Sequence, residues 1–202
     1  ATVGSDGAGY VARLQQQGIS TEFVREVADT YTAQAMIMTD RDNNQITAFH
    51  PGAMLRSHEN HVRDVKDVSF GIVAPDGRDA MLQNAREFSE LGLPFIFDPG
   101  QAMPLFSGEE FRHFIEIATY VVVNDYESNL LQERTGWDAA TIAGKTTAYI
   151  VTKGSNGSLI RLKDGTQHEI PPAHEQRVVD PTGCGDAYRA GLIFGIMRGY
   201  DL

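Results

Sequence analysis

The chain has almost no cysteine: Cys184 is the single one in 202 residues, which excludes an internal disulfide and fits a reducing compartment. It has no basic run either. Its 17 Lys and Arg stand against 27 Asp and Glu, and the formal net charge of −10 is spread along the chain, which argues against nucleic acid and anionic membrane as partners. An anionic substrate would have to rely on local donors and a cation. No apolar stretch approaches the roughly 18 residues that span a bilayer, and Ala1-Thr2-Val3-Gly4-Ser5-Asp6 carries no signal-peptide pattern. A cytoplasmic location is therefore expected. Repeats and disorder-prone composition are absent too; with 42% hydrophobic residues the chain can bury one substantial core, and a single α/β domain over residues 1–202 is expected.

The apolar pattern alternates between two periods. Residues 7–17 carry Tyr10, Val11 and Leu14 at helical spacing and stop at Gly18. Residues 32–49 read as a β-hairpin, with 33–39 and 45–49 flanking the turn-rich Asp40-Arg41-Asp42-Asn43-Asn44. After a short helix opening near Ser57, buried-strand patterns at 69–74, 95–97, 120–123 and 148–152 alternate with helices. The first of these helices is expected to be capped by Asp76, with Met81, Leu82, Ala85, Phe88 and Leu91 inward and Gly92 at its end. Ser107 and Glu110 form a capping box for the next, and a third runs from Tyr126 to Gly136. A second hairpin, 158–162 with 166–170, turns at Asp164-Gly165. Strands alternating with helices imply a parallel sheet with right-handed crossovers and a ligand crevice at the carboxyl ends of the strands. Asp98, Asn124 with Glu127, Thr152 with Gly154, and residues 180–186 all follow such ends.

Asp180-Pro181-Thr182-Gly183-Cys184-Gly185-Asp186 leads straight into an apolar helical run from Ala187 to Phe194. Small residues in a row let backbone N–H groups converge, and the helix that follows adds unpaired N–H groups and the positive end of its dipole, so an anion is expected there. Asp186 in the first turn has two readings on local chemistry: an acid favoured at a helix N-terminus, or a carboxylate beside a phosphate that takes a proton from an attacking hydroxyl. The segment resembles the anion-hole and catalytic-base signature of the ribokinase-like, or phosphofructokinase-B, carbohydrate kinases, with Pro181 in place of the usual Thr and Cys184 in place of the usual Ala. The resemblance implies Asp186 as base, with the Gly183, Cys184 and Gly185 amides as donors to the transferring phosphoryl group.

The same resemblance covers the rest of the chain. Asn124-Asp125-Tyr126-Glu127 is similar to the family's Asn-x-x-Glu motif, which implies Asn124 and Glu127 organising Mg²⁺ and its waters around ATP. Residues 152–157 resemble its Thr-x-Gly-x-x-Gly segment, placing Thr152 and Gly154 against the nucleotide, and Asp98 matches a position near the phosphate–metal water shell. Asp180 and Thr182 match positions that hold a monovalent cation in several members, which makes them candidate K⁺ ligands. The implied fold is a three-layer α/β/α ribokinase-like core, mainly parallel, with residues 32–49 as a small β-hairpin lid that closes over the acceptor and is also a candidate homodimer surface. The implied activity is ATP-dependent phosphorylation of a primary hydroxyl. Residues 49–54, 74–79 and 97–101 with Cys184 look most like bacterial adenosine kinase-type members, so adenosine stands ahead of ribose or fructose; a nucleotide-binding regulatory domain without turnover is the alternative from another class. Family members extend further at both ends, so the chain is expected to be the central and catalytic part of a longer kinase. His58-Glu59-Asn60-His61 is expected to be a solvated helix face rather than a zinc site, which needs more ligands. Tyr126 and Trp137 are candidates for base stacking, with packing as the ordinary fate.

Overall fold

The computed structural model describes residues 1–41, 45–174 and 182–202. Contacts divide the chain into two compact units, Ala1–Asp67 with Asp76–Glu87, and Val68–Pro75 with Phe88–Leu202.

In the first unit, β1 (Thr2–Gly4) pairs in parallel with β2 (Arg25–Val27), joined through α1 (Ala8–Gln16). The expected hairpin forms from β3 (Gln34–Thr39) and β4 (Gln45–His50), antiparallel, with Met36 opposite Ala48 and Met38 opposite Ile46. Met36, Met38 and Ile46 share one face, Ile37 and Phe49 the other, and all five are exposed. The helix expected to open near Ser57 is instead a 3₁₀ segment, Gly52–Glu59, which Ser57 helps to end. His58 lies in it, whereas His61 is extended and pairs through Nδ1 with Glu87, so the two histidines share no helix face. Glu87 is 1% exposed, and it is tolerated because His61, the Val62 amide and Arg63 all converge on its two oxygens.

α2 (Arg78–Glu90) starts two residues after Asp76, whose carboxylate accepts from the Gly77 amide rather than capping the first helical turn. Met81, Ala85 and Phe88 are buried as their spacing requires, but Leu91 is about half exposed because the helix has ended before it.

The second unit is built on a six-stranded sheet of order β10-β9-β8-β7-β6-β5, from β5 (Gly71–Val73), β6 (Phe95–Phe97), β7 (Tyr120–Asn124), β8 (Ala148–Thr152), β9 (Ser158–Leu162) and β10 (Gln167–Ile170). The pairings β5–β6, β6–β7 and β7–β8 are parallel; β9 and β10 add on antiparallel. The connections are α3 (Gly108–Ile117), α4 (Asp125–Thr135) and α5 (Ala139–Lys145), the last a short helix that the apolar pattern did not announce. Register assigns the layers. Phe97, Val121 and Tyr149 lie in line on one face, where Phe97 stacks on Phe114 of α3 at 4.4 Å and Tyr149 donates a buried hydrogen bond to Ser128 of α4. Ile96, Val122, Ala148, Ile150 and Ile160 lie on the other, packed against Tyr188, Leu192 and Ile193 of α6 (Cys184–Met197). Among the described residues α6 lies behind the sheet and α3, α4 and α5 in front, which gives the α/β/α layering. Among the described residues no helix is long and apolar enough to cross a membrane.

Candidate active site at the strand ends and the start of α6

The parallel strands deliver their polar ends side by side. Asn124 and Thr152 are register partners at the ends of β7 and β8, and Asp98 follows β6, its amide donating to the Val73 carbonyl of β5. The crevice rule for open α/β sheets thus gathers three of the candidate residues without any contact between their side chains.

Asn124 also starts α4. Its Oδ1 accepts from the Glu127 amide at 2.7 Å, while Glu127 Oε2 accepts from the Asn124 amide at 2.8 Å, a reciprocal capping box. The Asn-x-x-Glu spacing is therefore structural in the first instance, with Glu127 Oε1 taking no part in the box. Thr152 leans back on the Val123 carbonyl at 3.4 Å. Beyond it, Gly154 has φ +56 in a short 3₁₀ turn, closed by the Lys153 amide on the Gly157 carbonyl. Gly157 must be glycine, since a Cβ there would collide with the Ile170 carbonyl oxygen of β10.

α6 begins differently. Its N-cap is Gly183 in the left-handed region, φ +82, with no side chain closing the terminus, and the first helical bond runs from the Ala187 amide to the Gly183 carbonyl. The amides of Cys184, Gly185 and Asp186 precede that bond, so they are donors without an intrahelical acceptor, at the positive end of the helix dipole. Asp186 and Cys184 are exposed beside them. Thr182 lies in the turn before; Asp180 and Pro181 lie outside the described residues, so the candidate K⁺ pair is not placed.

Charge concentrates here. Asp98 is 2% exposed, and burial pushes its carboxyl up from the ordinary 3.8 to about 6, with the Arg189 guanidinium pulling the other way and Glu127 and Asp186 adding to the rise. Sequence reasoning missed Arg189. Its spacing of three from Asp186 was visible, but its ion pair with Asp98 joins distant parts of the chain.

The pfkB family carbohydrate kinase model matches residues 2–202. The chain belongs to that family. Among pfkB proteins, it is 52% identical to a nucleoside kinase of Burkholderia thailandensis whose structure is a complex with inosine; the TM-score is 0.96, covering 100% of this chain and 66% of that one. It is 34% identical to the nucleoside kinase of Methanocaldococcus jannaschii, over 96% of this chain and 64% of that protein. The aminoimidazole riboside kinase of Salmonella typhimurium is 27% identical over 97% of this chain and 66% of its own length. The chain thus spans slightly under two thirds of these pfkB relatives.

Direct metal ligation has little support from the donor set. Among the described residues no group of three or more His, Cys, Asp or Glu side chains could hold an ion. One uncommitted Glu127 oxygen near the strand ends fits an ion that keeps most of its waters and brings phosphate oxygens with it, which is how Mg²⁺ behaves. Trp137 is taken up elsewhere, under the Lys145 ammonium at 4.4 Å, and Tyr126 is exposed.

Proposed function

We propose that the full-length protein containing this chain transfers the γ-phosphoryl group of ATP to the 5′-hydroxyl of a purine nucleoside. The observation that carries the reading is the start of α6, where three backbone amides with no acceptor among the described residues stand beside the exposed carboxylate of Asp186. Phosphoryl transfer needs donors for the charge on the transferring group and a base for the acceptor proton, and little covalent help from the protein. Asp186 would take the proton of the 5′-hydroxyl. The turn from Gly183 through Gly185 and the first helical amides would hold the phosphoryl oxygens, while Thr152 and Gly154 line the nucleotide side. Asn124 and Glu127 would hold Mg²⁺ through water, the ion supplying charge neutralisation to the phosphates when bound. The hairpin β3–β4, with apolar side chains exposed on both faces, is the proposed lid that keeps water from the reaction.

Two relatives are named nucleoside kinases and one is held with inosine, which favours a nucleoside over a free sugar; adenosine, favoured by the segments around Asp98, and inosine are the two acceptors to compare. A purine adds stacking contacts of about 1–3 kcal/mol, worth roughly 5–150-fold in kcat/KM over ribose or fructose if realised in the transition state. A turnover screen of the full-length protein with adenosine, inosine, ribose and fructose tests this. Preference for a sugar would remove the nucleoside assignment and leave the kinase. ATP binding without transfer to any acceptor would favour the regulatory alternative.

A further inference from the structure

Arg189 sits one turn along α6 from Asp186 and has no part in the chemistry above. Its Nε lies against Asp98 Oδ2, and its Nη1 is 3.5 Å from Asp186 Oδ1. Its guanidinium is also tucked under the anion turn: a Cβ added to Gly185 would lie 2.8 Å from Nη1, 3.7 Å from Cζ and 3.9 Å from Nη2. A side chain at 185 would therefore have to displace the guanidinium. Asp98 is almost wholly buried, and its Oδ1, the oxygen not facing Arg189, has no hydrogen-bond partner among the described residues. The Arg189 side chain is 20% exposed and that of Asp186 is 89% exposed. The arrangement is a cation anchored on a strand end, seated beneath the turn, and reaching outward to one carboxylate.

We propose that Arg189 is a positioning residue for phosphoryl transfer: anchored on Asp98 and seated against Gly185, its guanidinium holds the Asp186 carboxylate in place at the anion turn. An arginine suits this role because it cannot lose its proton and its planar fork reaches two carboxylates at once. A pair at 3.5 Å with an exposed partner is weak in water, but phosphates that displace water from the turn lower the local dielectric and strengthen it. The role acts through Asp186 and not on the substrate. It therefore rests on the reading of Asp186 as the base.

A double-mutant cycle in the full-length protein separates the two claims. Asp186→Asn should lower kcat by roughly 10²–10⁴-fold, and Arg189→Met by about 10–100-fold with a smaller change in KM for ATP. Added to Asp186→Asn, the Arg189→Met change should alter kcat less than about 3-fold, because its target is gone. Arg189→Lys should recover part of kcat, since a cation at the same place can still engage the carboxylate. Arg189→Gln is the second neutral variant should the Met protein not fold. Multiplying losses in the double mutant would overturn the proposal while leaving Asp186 as base, whereas near-normal turnover in Asp186→Asn would remove the base reading itself. Failure of both neutral variants to fold, with wild-type kcat in Arg189→Lys, would reduce the pair to a structural tie and overturn the proposal as well.

Discussion

α4 and α6 both begin near the strand ends, yet one helix start is closed and the other open. At α4, Asn124 and Glu127 satisfy one another's backbone amides. At α6, a left-handed glycine with no side chain leaves the first amides without an acceptor among the described residues, and the terminus is anchored from further along, by Arg189 on Asp98 and by the Tyr188 hydroxyl on Ser158 of β9. A helix start that caps itself is stable without a ligand. One that does not cap itself is left with donors for an anion, and must be held in place by something other than its own cap. The proposed function uses this difference, with the phosphoryl group at α6 and a supporting, metal-side role for α4.

The largest expected effect falls on the open terminus. Asp186→Asn keeps the shape and removes the proton acceptor, so turnover should drop roughly 10²–10⁴-fold while ATP binding, measured by titration, stays or tightens slightly. Unchanged turnover would break the contrast outright.

The anchor of α6 carries a pH signature. A carboxyl whose folded pKa is raised binds its proton more tightly folded than unfolded, so the stability it contributes is full below about pH 4 and is lost as pH rises through about 6. Relative to wild type, Asp98→Asn should therefore gain stability between pH 4 and 7, by an amount on the order of 3 kcal/mol from a shift of about two units. Denaturant melts at several pH values would show it; parallel curves would mean that Arg189 fully offsets the burial.

Gly183→Ala probes the shape of the open start. Among the described residues nothing lies within 4 Å of an added Cβ, so the cost is conformational, roughly 1–2 kcal/mol for a left-handed residue, read as a lower Tm and an ATP KM raised several-fold. On the closed side, Glu127→Gln should cost under about 1 kcal/mol in stability, since an amide oxygen can still serve the capping box. It should raise the Mg²⁺ concentration for half-maximal rate; an unchanged requirement would leave the box as its whole purpose. Cys184→Ala should be the smallest change, near neutral in rate, because the backbone N–H is what the turn offers.

Features written within a few neighbouring residues were legible without the structure. The Ser107–Glu110 box, the left-handed Gly136 that stops α4 and the hairpins each depend on interactions over a few positions, and the chain shows them where spacing put them, whereas α6 starts at Cys184, earlier than its apolar run from Ala187. The alternation of strand and helix likewise carried the parallel sheet. What local spacing could not decide was the fate of residues whose partners lie far along the chain. The parallel pairing of β1 with β2, the burial of Glu87 under His61 and Arg63, and the Asp98–Arg189 pair all depend on which distant segment packs nearby. Asp98 shows why. By sequence it is a turn-forming acid before Pro99; only the closing of β6 beside β5, with α6 packed behind the sheet, strips it of water and gives it one buried cation, and desolvation and charge pairing are properties of that assembly rather than of any stretch of chain.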